Sequence, residues 1–208
     1  MADQRRPRVA LAASLAAGLL LAGCGGGDEA TGFAGTTHDP YPVPATPLTD
    51  TSGAPYSLAA DTDKPLTLVF FGYTRCDDFC PMVMTSLSSA LTRLDEEQRE
   101  NVDLVFVTTD PNRDTPEVLR RYLDRYDPEA VGLTGELQTI VDVARPLAIH
   151  VDDGSELPGG GYDVAAHSTY VTAIGADDTA RVVWDMDTSS AQFAADIIAL
   201  LDGKKPAS

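Results

Sequence analysis

Phe70-Phe71-Gly72-Tyr73-Thr74-Arg75-Cys76-Asp77-Asp78-Phe79-Cys80-Pro81 is the stretch from which the rest of the chain is read. The apolar run from Leu66 to Phe71 has the length and composition of a buried strand, and two cysteines follow in the turn into a helix opened by Pro81. Both thiols therefore stand where helix N-terminal amides point outward. The positive end of a helix favours thiolate over thiol. The two sulfurs are thus expected to be more acidic than a free cysteine and ready to bind metal or exchange disulfides.

Working outward, the only long apolar run lies at the start of the chain, and 208 residues with 43% hydrophobic content are the size of one domain. Arg5, Arg6 and Arg8 precede an Ala/Leu segment from Val9 to Leu21 that ends in Leu21-Ala22-Gly23-Cys24, the layout of a secretory signal. That ending resembles the lipobox of bacterial lipoproteins, in which the cysteine is acylated. A plain signal peptide and an uncleaved anchor are the other readings, the second weakened by an apolar core short for a bilayer. All of them put the folded part outside the cytoplasm. Residues 1–23 are thus expected to be a lipoprotein signal peptide. Cys24 becomes the lipid attachment point at the extracytoplasmic face of the cell membrane, residues 24–45 a flexible tether, and residues 46–204 the folded domain.

With Cys24 assigned, Cys76 and Cys80 remain as a pair. In an oxidising compartment their plainest role is a structural disulfide, yet a bridge across so short a loop restrains the unfolded chain very little. Chemistry is the better reason for them. The formal charge is −17, and residues 1–23 carry three arginines and Asp3, so the processed chain stands at −19. That excess excludes nucleic acid as a partner. The carboxylates are spread along the chain and read mostly as solvated surface.

Within the domain, Leu48 to Tyr56 has the pattern of a short strand pair turned at Ser52-Gly53. Val83, Leu87, Leu91 and Leu94 give the helix after Cys80 one apolar face, and Met82 and Met84 read as packing in its first turn, not as soft ligands. Val102 to Val107 is a second buried strand. It runs into Asp110-Pro111, and Asp114-Thr115-Pro116-Glu117 reads as a helix start capped by Asp114 or Thr115, with Glu117 placed to close a capping box on Asp114 and with turn formation and capping explaining Asp110 and Asp114. A short helix over Leu137 to Ala144 and a strand over Leu147 to Val151 are expected next, and His38 and His150 are given no ligand role. A Gly- and Pro-bearing loop then delivers His167-Ser168 to a hairpin, Thr169 to Ile174 against Arg181 to Trp184. A last helix is capped at Ser189 or Ser190 and closed by Gly203. The order is that of an α/β sheet layered with helices. Position alone favours a packed histidine over a ligand at His167.

Three motifs now stand in sequence: Phe71-Gly72-Tyr73-Thr74-x-Cys76-x-Asp78-x-Cys80-Pro81, Asp110-Pro111-x-x-Asp114-Thr115-Pro116, and His167-Ser168. Together they resemble the Sco/SenC family of thioredoxin-fold copper proteins. The resemblance implies a thioredoxin-like α/β fold with a central mixed sheet flanked by helices, an N-terminal strand pair and a C-terminal hairpin plus helix. It also implies a site for Cu(I) or Cu(II) built from Cys76, Cys80 and His167, and a role in metallating the copper A centre of cytochrome c oxidase, with the copper A-bearing subunit as partner. Asp77 departs from the proline usual after the first cysteine, adding a negative charge beside the metal. Two thiolates and one imidazole form a soft, low-coordinate set suited to Cu(I), with the nitrogen helping to hold Cu(II). Bridging the cysteines removes both sulfur donors, so metal binding and oxidation are expected to exclude each other.

Other chemistries compete with this one. The same dithiol, Cys76 and Cys80, suits a thiol–disulfide oxidoreductase that reduces a client's copper-ligand cysteines and is itself served by a thiol reductant protein. Three residues between the cysteines, and a distant histidine with no task in disulfide exchange, favour metal. A single-thiolate peroxidase needs a Thr/Arg setting that Thr74 and Arg75 supply only in part. Zinc needs a fourth strong ligand, and none stands at ligand spacing.

Overall fold

The computed structural model describes residues 32–62, 64–152 and 167–204. The expected signal peptide, Cys24 and the loop expected before His167, within 153–166, lie outside the described residues. In chain order the elements are β1 (Thr36–Pro42), β2 (Leu48–Asp50), β3 (Pro55–Tyr56), β4 (Leu66–Gly72), α1 (Phe79–Leu91), α2 (Glu96–Glu100), β5 (Val102–Thr108), α3 (Pro116–Leu123), β6 (Val131–Thr134), α4 (Leu137–Ala144), β7 (Val171–Gly175), β8 (Thr179–Trp184) and α5 (Ser190–Leu201). The strands form one mixed sheet in the order β1-β8-β7-β4-β5-β6-β2-β3.

Every residue of β4 is buried, Thr67 included, as its predominantly apolar run requires of a strand covered on both faces. Leu66, Leu68 and Phe70 point into one core with Val102, Leu104 and Phe106 of β5, closed by side chains of α1, α3 and α5. Val69 and Phe71 point into the other core with Val105 and Val107, closed by α4 and by Leu147, Ile149 and Val151. The period-2 alternation of a strand thus feeds two helical layers from one run of sequence. β4 and β5 are parallel, whereas β7 is antiparallel to β4 with Phe70 opposite Val171. The end of β4, the end of β5 and the start of β7 therefore meet at one edge of the sheet. The cysteine turn and His167 emerge at that edge.

The strand pair β2–β3, turned at Gly53 with φ 88°, the β7–β8 hairpin and the capping box of Ser189 with Gln192 on α5 agree with the sequence reading. Other elements differ. Residues 36–42 are not tether but strand β1, paired antiparallel with β8 on the sheet's outer edge. Its Pro40 and Pro42 suit an edge, where a missing N–H costs nothing. Residues 147–151 are not a strand. Arg145–Leu147 form a turn of 3-10 helix, Ala148 takes φ 56°, and Val151 makes only a single bridge, to His167. β6 and α2 were not anticipated, α2 being held by a capping box between Asp95 and Gln98. Asp114 is not the cap of α3: Thr115 accepts the Val118 amide there, and Glu117 accepts the Thr115 hydroxyl.

What anchors the start of the domain is Asp196 on α5. Its buried Oδ2 accepts the Ala34 and Gly35 amides at 2.9 Å each and the Trp184 indole N–H at 2.7 Å. Asp196→Ala leaves the buried Trp184 indole N–H and two half-buried amides without their acceptor, a loss of about 3 kcal/mol for bonds to a charged group. Hydrogen exchange checks it: the amides of Ala34, Gly35 and β1 are expected to lose protection first, while those of β4 and β5 keep theirs.

Candidate metal centre

Cys76 and Cys80 are both free thiols, both buried, on the turn between β4 and α1. The Cys76 amide donates to the Tyr73 carbonyl at 3.3 Å, folding the turn back on the end of β4. Cys80 is the second residue of α1, and its N–H points at Cys76 Sγ at 3.3 Å. A helix N-terminal amide thus does meet a sulfur, as the turn-to-helix reading requires. Gly72 lets the pair approach the sheet, since a Cβ there would stand 3.0 Å from Cys80 Sγ.

The expected acidity is not found at Cys80. Burial pushes its thiol up, and the neighbouring Cys76 sulfur and the Asp114 carboxylate push the same way. Desolvation outweighs the helix end because this side chain lies inside the core with no exposed surface. Tyr73 feels the same setting, and its phenol is pushed up to about 12, chiefly by burial and then by the two cysteines.

His167 reaches this turn through two rings. Its imidazole lies edge-on to Tyr73 at 5.7 Å between centroids and to Phe79 at 5.4 Å, and those residues bracket the cysteine segment. Nδ1 sits 2.9 Å from the Ser168 carbonyl, an acceptor only, so Nδ1 carries the proton and Nε2 presents its lone pair. Nε2 is buried with no hydrogen-bond partner among the described residues. Burial also holds the imidazole below its ordinary 6.5, against the smaller opposing pull of the Ser168 carbonyl. The ring is therefore neutral at physiological pH. Fixing one nitrogen on a backbone carbonyl while leaving the other bare is how metal-ligating histidines are oriented.

The structure brings all three expected side chains to one neighbourhood, although among the described residues no three potential ligands already stand at metal-holding separation. Met84 is fully buried, as a packing role requires, whereas Met82 is largely exposed and does not pack as expected. His150 is exposed, and His38 lies on β1, stacked on Tyr41.

Sequence reasoning missed what holds the turn in place. Asp114, completely buried, accepts the Thr74 amide at 2.9 Å and the Thr74 hydroxyl at 2.6 Å, and from β5 the Thr108 hydroxyl at 2.7 Å. One carboxylate thereby ties the residue two before Cys76 to the end of β5 and the entrance of α3. The Asp110-to-Pro116 motif carried the signal, but capping explained it too readily. Asp110 is itself buried and paired with Arg113; burial raises its carboxyl more than the guanidinium lowers it.

A central strand delivering two free thiols to a helix start, with an imidazole packed against the two aromatic rings that flank that turn, defines a thioredoxin-like dithiol protein. The family model described as SCO1/SenC matches residues 43–202, and the chain belongs to that family. It is similar to apo Sco1 from Thermus thermophilus, solved in solution, at 31% identity and a TM-score of 0.72 over 81% of this chain and 96% of that one. Bradyrhizobium japonicum ScoI, solved with copper bound, is 26% identical with a TM-score of 0.63 over 78% of this chain and 98% of that one. An Arabidopsis thaliana relative, the mitochondrial SCO1 homolog 1, is 35% identical over 107 residues, 47% of this chain and 32% of that protein. The chain thus matches about a third of that relative's length. A further structure sharing the fold is described as a member of the Sco family of cytochrome c oxidase assembly proteins.

Proposed function

We propose that this chain is a copper metallochaperone serving the copper A centre of cytochrome c oxidase, held at the extracytoplasmic face of the cell membrane by a lipid on Cys24. The cargo is one copper ion, bound by Cys76, Cys80 and His167. The observation that carries this reading is the buried Nε2 of His167, which has no hydrogen-bond partner among the described residues and whose ring packs on Tyr73 and Phe79 beside the cysteine turn, because an orphaned nitrogen costs free energy unless it has a use. The donor set fits the ion: two soft sulfurs and one imidazole hold Cu(I), and the nitrogen helps to retain Cu(II). Coordination requires the imidazole and the sulfurs to draw closer, since among the described residues no three potential ligands stand at metal-holding separation. No helix of the described residues is long and apolar enough to cross a membrane.

The competing reading, a thiol–disulfide oxidoreductase, needs a thiolate ready to attack. Burial that raises the Cys80 thiol opposes the thiolate that both readings need, whereas an imidazole whose Nε2 has no partner among the described residues gives disulfide exchange nothing it requires. Titration of the reduced and oxidised chain with Cu(I) and Cu(II) tests the proposal. The dithiol is expected to take one equivalent, and the disulfide, formed when two thiols give up two electrons and two protons to an added oxidant, is expected to take none. Equal uptake by both forms would show that copper does not use the sulfurs.

A further inference from the structure

We infer that the cleft between β1 and residues 147–149 is a binding site for a single-ring aromatic molecule with one strong hydrogen-bond donor, of the class of a phenol, and that Nε2 of His38 is the acceptor. The cleft lies on the face of the sheet away from α1 and α3, and the inference stands apart from the copper reading.

Strand pairing brings His38 to this place. Thr37 pairs with Val182 and Tyr41 with Ala180, so three residues of β1, His38 to Pro40, stand against Arg181 alone. A bulge of this kind bends its strand and re-aims a side chain. Asp39 and Pro40 are exposed, whereas His38 is half-buried and its ring stacks on Tyr41 with the centroids 4.2 Å apart. Nδ1 sits 2.7 Å from the Asp39 carbonyl, an acceptor only, so the neutral ring carries its proton there and leaves a lone pair on Nε2. Nε2 is buried and has no hydrogen-bond partner among the described residues. A buried acceptor without a donor costs free energy, and a ligand that supplies the donor recovers it.

The cleft has a volume of about 170 Å³, roughly the space that one aromatic ring occupies. Tyr41, Leu147, Ile149, Tyr170 and Val183 line it together with His38. Leu147 and Ile149 stand either side of Ala148, which turns the chain at φ 56°, and both belong with Tyr41 to the core on this side of the sheet. The floor of the cleft is therefore apolar and fixed by packing. Tyr170 is different: it is 43% exposed and makes no hydrogen bond among the described residues. It is the lining ring free to turn and admit a guest to Nε2. A flat ring entering here gains offset and edge-on contacts with the aromatic walls.

One acceptor among apolar and aromatic walls defines the class of ligand. An anion finds no cationic side chain lining the cleft except the histidine, which offers a lone pair. A metal ion finds no thiol, carboxylate or second imidazole there. A hydrocarbon fills the space but leaves Nε2 unpaired. A phenol answers both needs, because its ring fills the cleft while its hydroxyl donates to Nε2.

The test uses the full reduced chain, with phenol as the probe and anisole, the same ring without the donor, as its control. Amide shifts of Thr36, His38, Ile149 and Tyr170 in a nitrogen-15 NMR titration are expected to saturate with a Kd of about 1 mM, in keeping with so small a ligand. Anisole is expected to bind about tenfold more weakly, the worth of one hydrogen bond. His38→Phe keeps a ring on Tyr41 and removes the acceptor, so it is expected to bind the two probes alike. Equal binding of phenol and anisole by the parent overturns the inference, and so does a His38→Phe variant that still prefers phenol. Shifts confined to residues outside the cleft overturn it too, as does the absence of saturation at about 10 mM phenol. The comparison on the parent decides the matter even if the variant does not fold.

Discussion

His167→Ala is expected to weaken copper binding by about a hundredfold or more, while the exchange of Cys76 and Cys80 with a small disulfide proceeds at nearly the parental rate. Loss of a group that merely orients a ligand costs metal affinity ten- to a hundredfold, and loss of the ligand itself costs at least as much. The contrast between the two readouts follows from the geometry. His167 touches the cysteine segment through the rings of Tyr73 and Phe79, and its polar contact is to the Ser168 carbonyl. Removing the imidazole therefore takes away a donor without altering the Cys80 amide at Cys76 Sγ or the Cys76 amide at the Tyr73 carbonyl. Competition against a Cu(I) chelator gives the affinity, and reaction with an aromatic disulfide gives the exchange rate. Parental affinity in the variant would leave His167 a packed side chain and return the dithiol to plain redox chemistry.

Asp114→Ala is the substitution with the largest expected effect on stability. Its carboxylate satisfies three donors in a site without solvent, each bond to a charged acceptor being worth about 1.5–3 kcal/mol, and no other acceptor replaces it. A net loss of about 3–5 kcal/mol is expected, which for a domain of this size lowers Tm by roughly 10 °C. Thr108→Val removes one donor and leaves the carboxylate with the other two, and is expected to cost about 1 kcal/mol. The loss is not confined to stability. Thr74 is released with Asp114, so the turn holding Cys76 is freed from the end of β5, and copper affinity falls although Asp114 touches neither sulfur. Thermal unfolding of the two variants, with copper competition at a temperature where both are folded, separates these effects. Asp114→Ala melting within about a degree of the parent would show that the network contributes nothing.

Why some of this was legible in the sequence, and some was not, follows from the range of the forces involved. β4 and β5 announce themselves because a strand buried on both faces is apolar at most positions, with Thr67, Asp103 and Thr108 the exceptions here. The start of α5 is equally local, since the Ser189 cap and its Gln192 partner are three residues apart. β6 is four residues with a glycine inside, below the length at which alternation carries information. β1 has a polar, proline-bearing sequence that pairs only because β8 offers an edge, and its anchor, Asp196, is more than 150 residues away. Asp114 was visible as a motif but not as a tie, because its donors come from the cysteine turn and from β5.

The site divides along the same line. Cys76 and Cys80 stood out through spacing and compartment, whereas His167 stood out only through likeness to a family, its own position favouring a packed ring. The bare Nε2 that distinguishes the two roles depends on which atoms surround it after folding. The acidity expected at Cys80 failed for a related reason. A helix start can be read from proline and spacing, but the burial that opposes it cannot.

The most direct measurement of whether these three side chains close on one ion is X-ray absorption at the copper edge of the Cu(I)-loaded protein, taken on the parent and on His167→Ala. The parent is expected to show two sulfur scatterers and one imidazole nitrogen, with the outer-ring scattering of the imidazole absent in the variant. A shell of sulfur alone in the parent, or spectra that coincide, would contradict a site built from Cys76, Cys80 and His167.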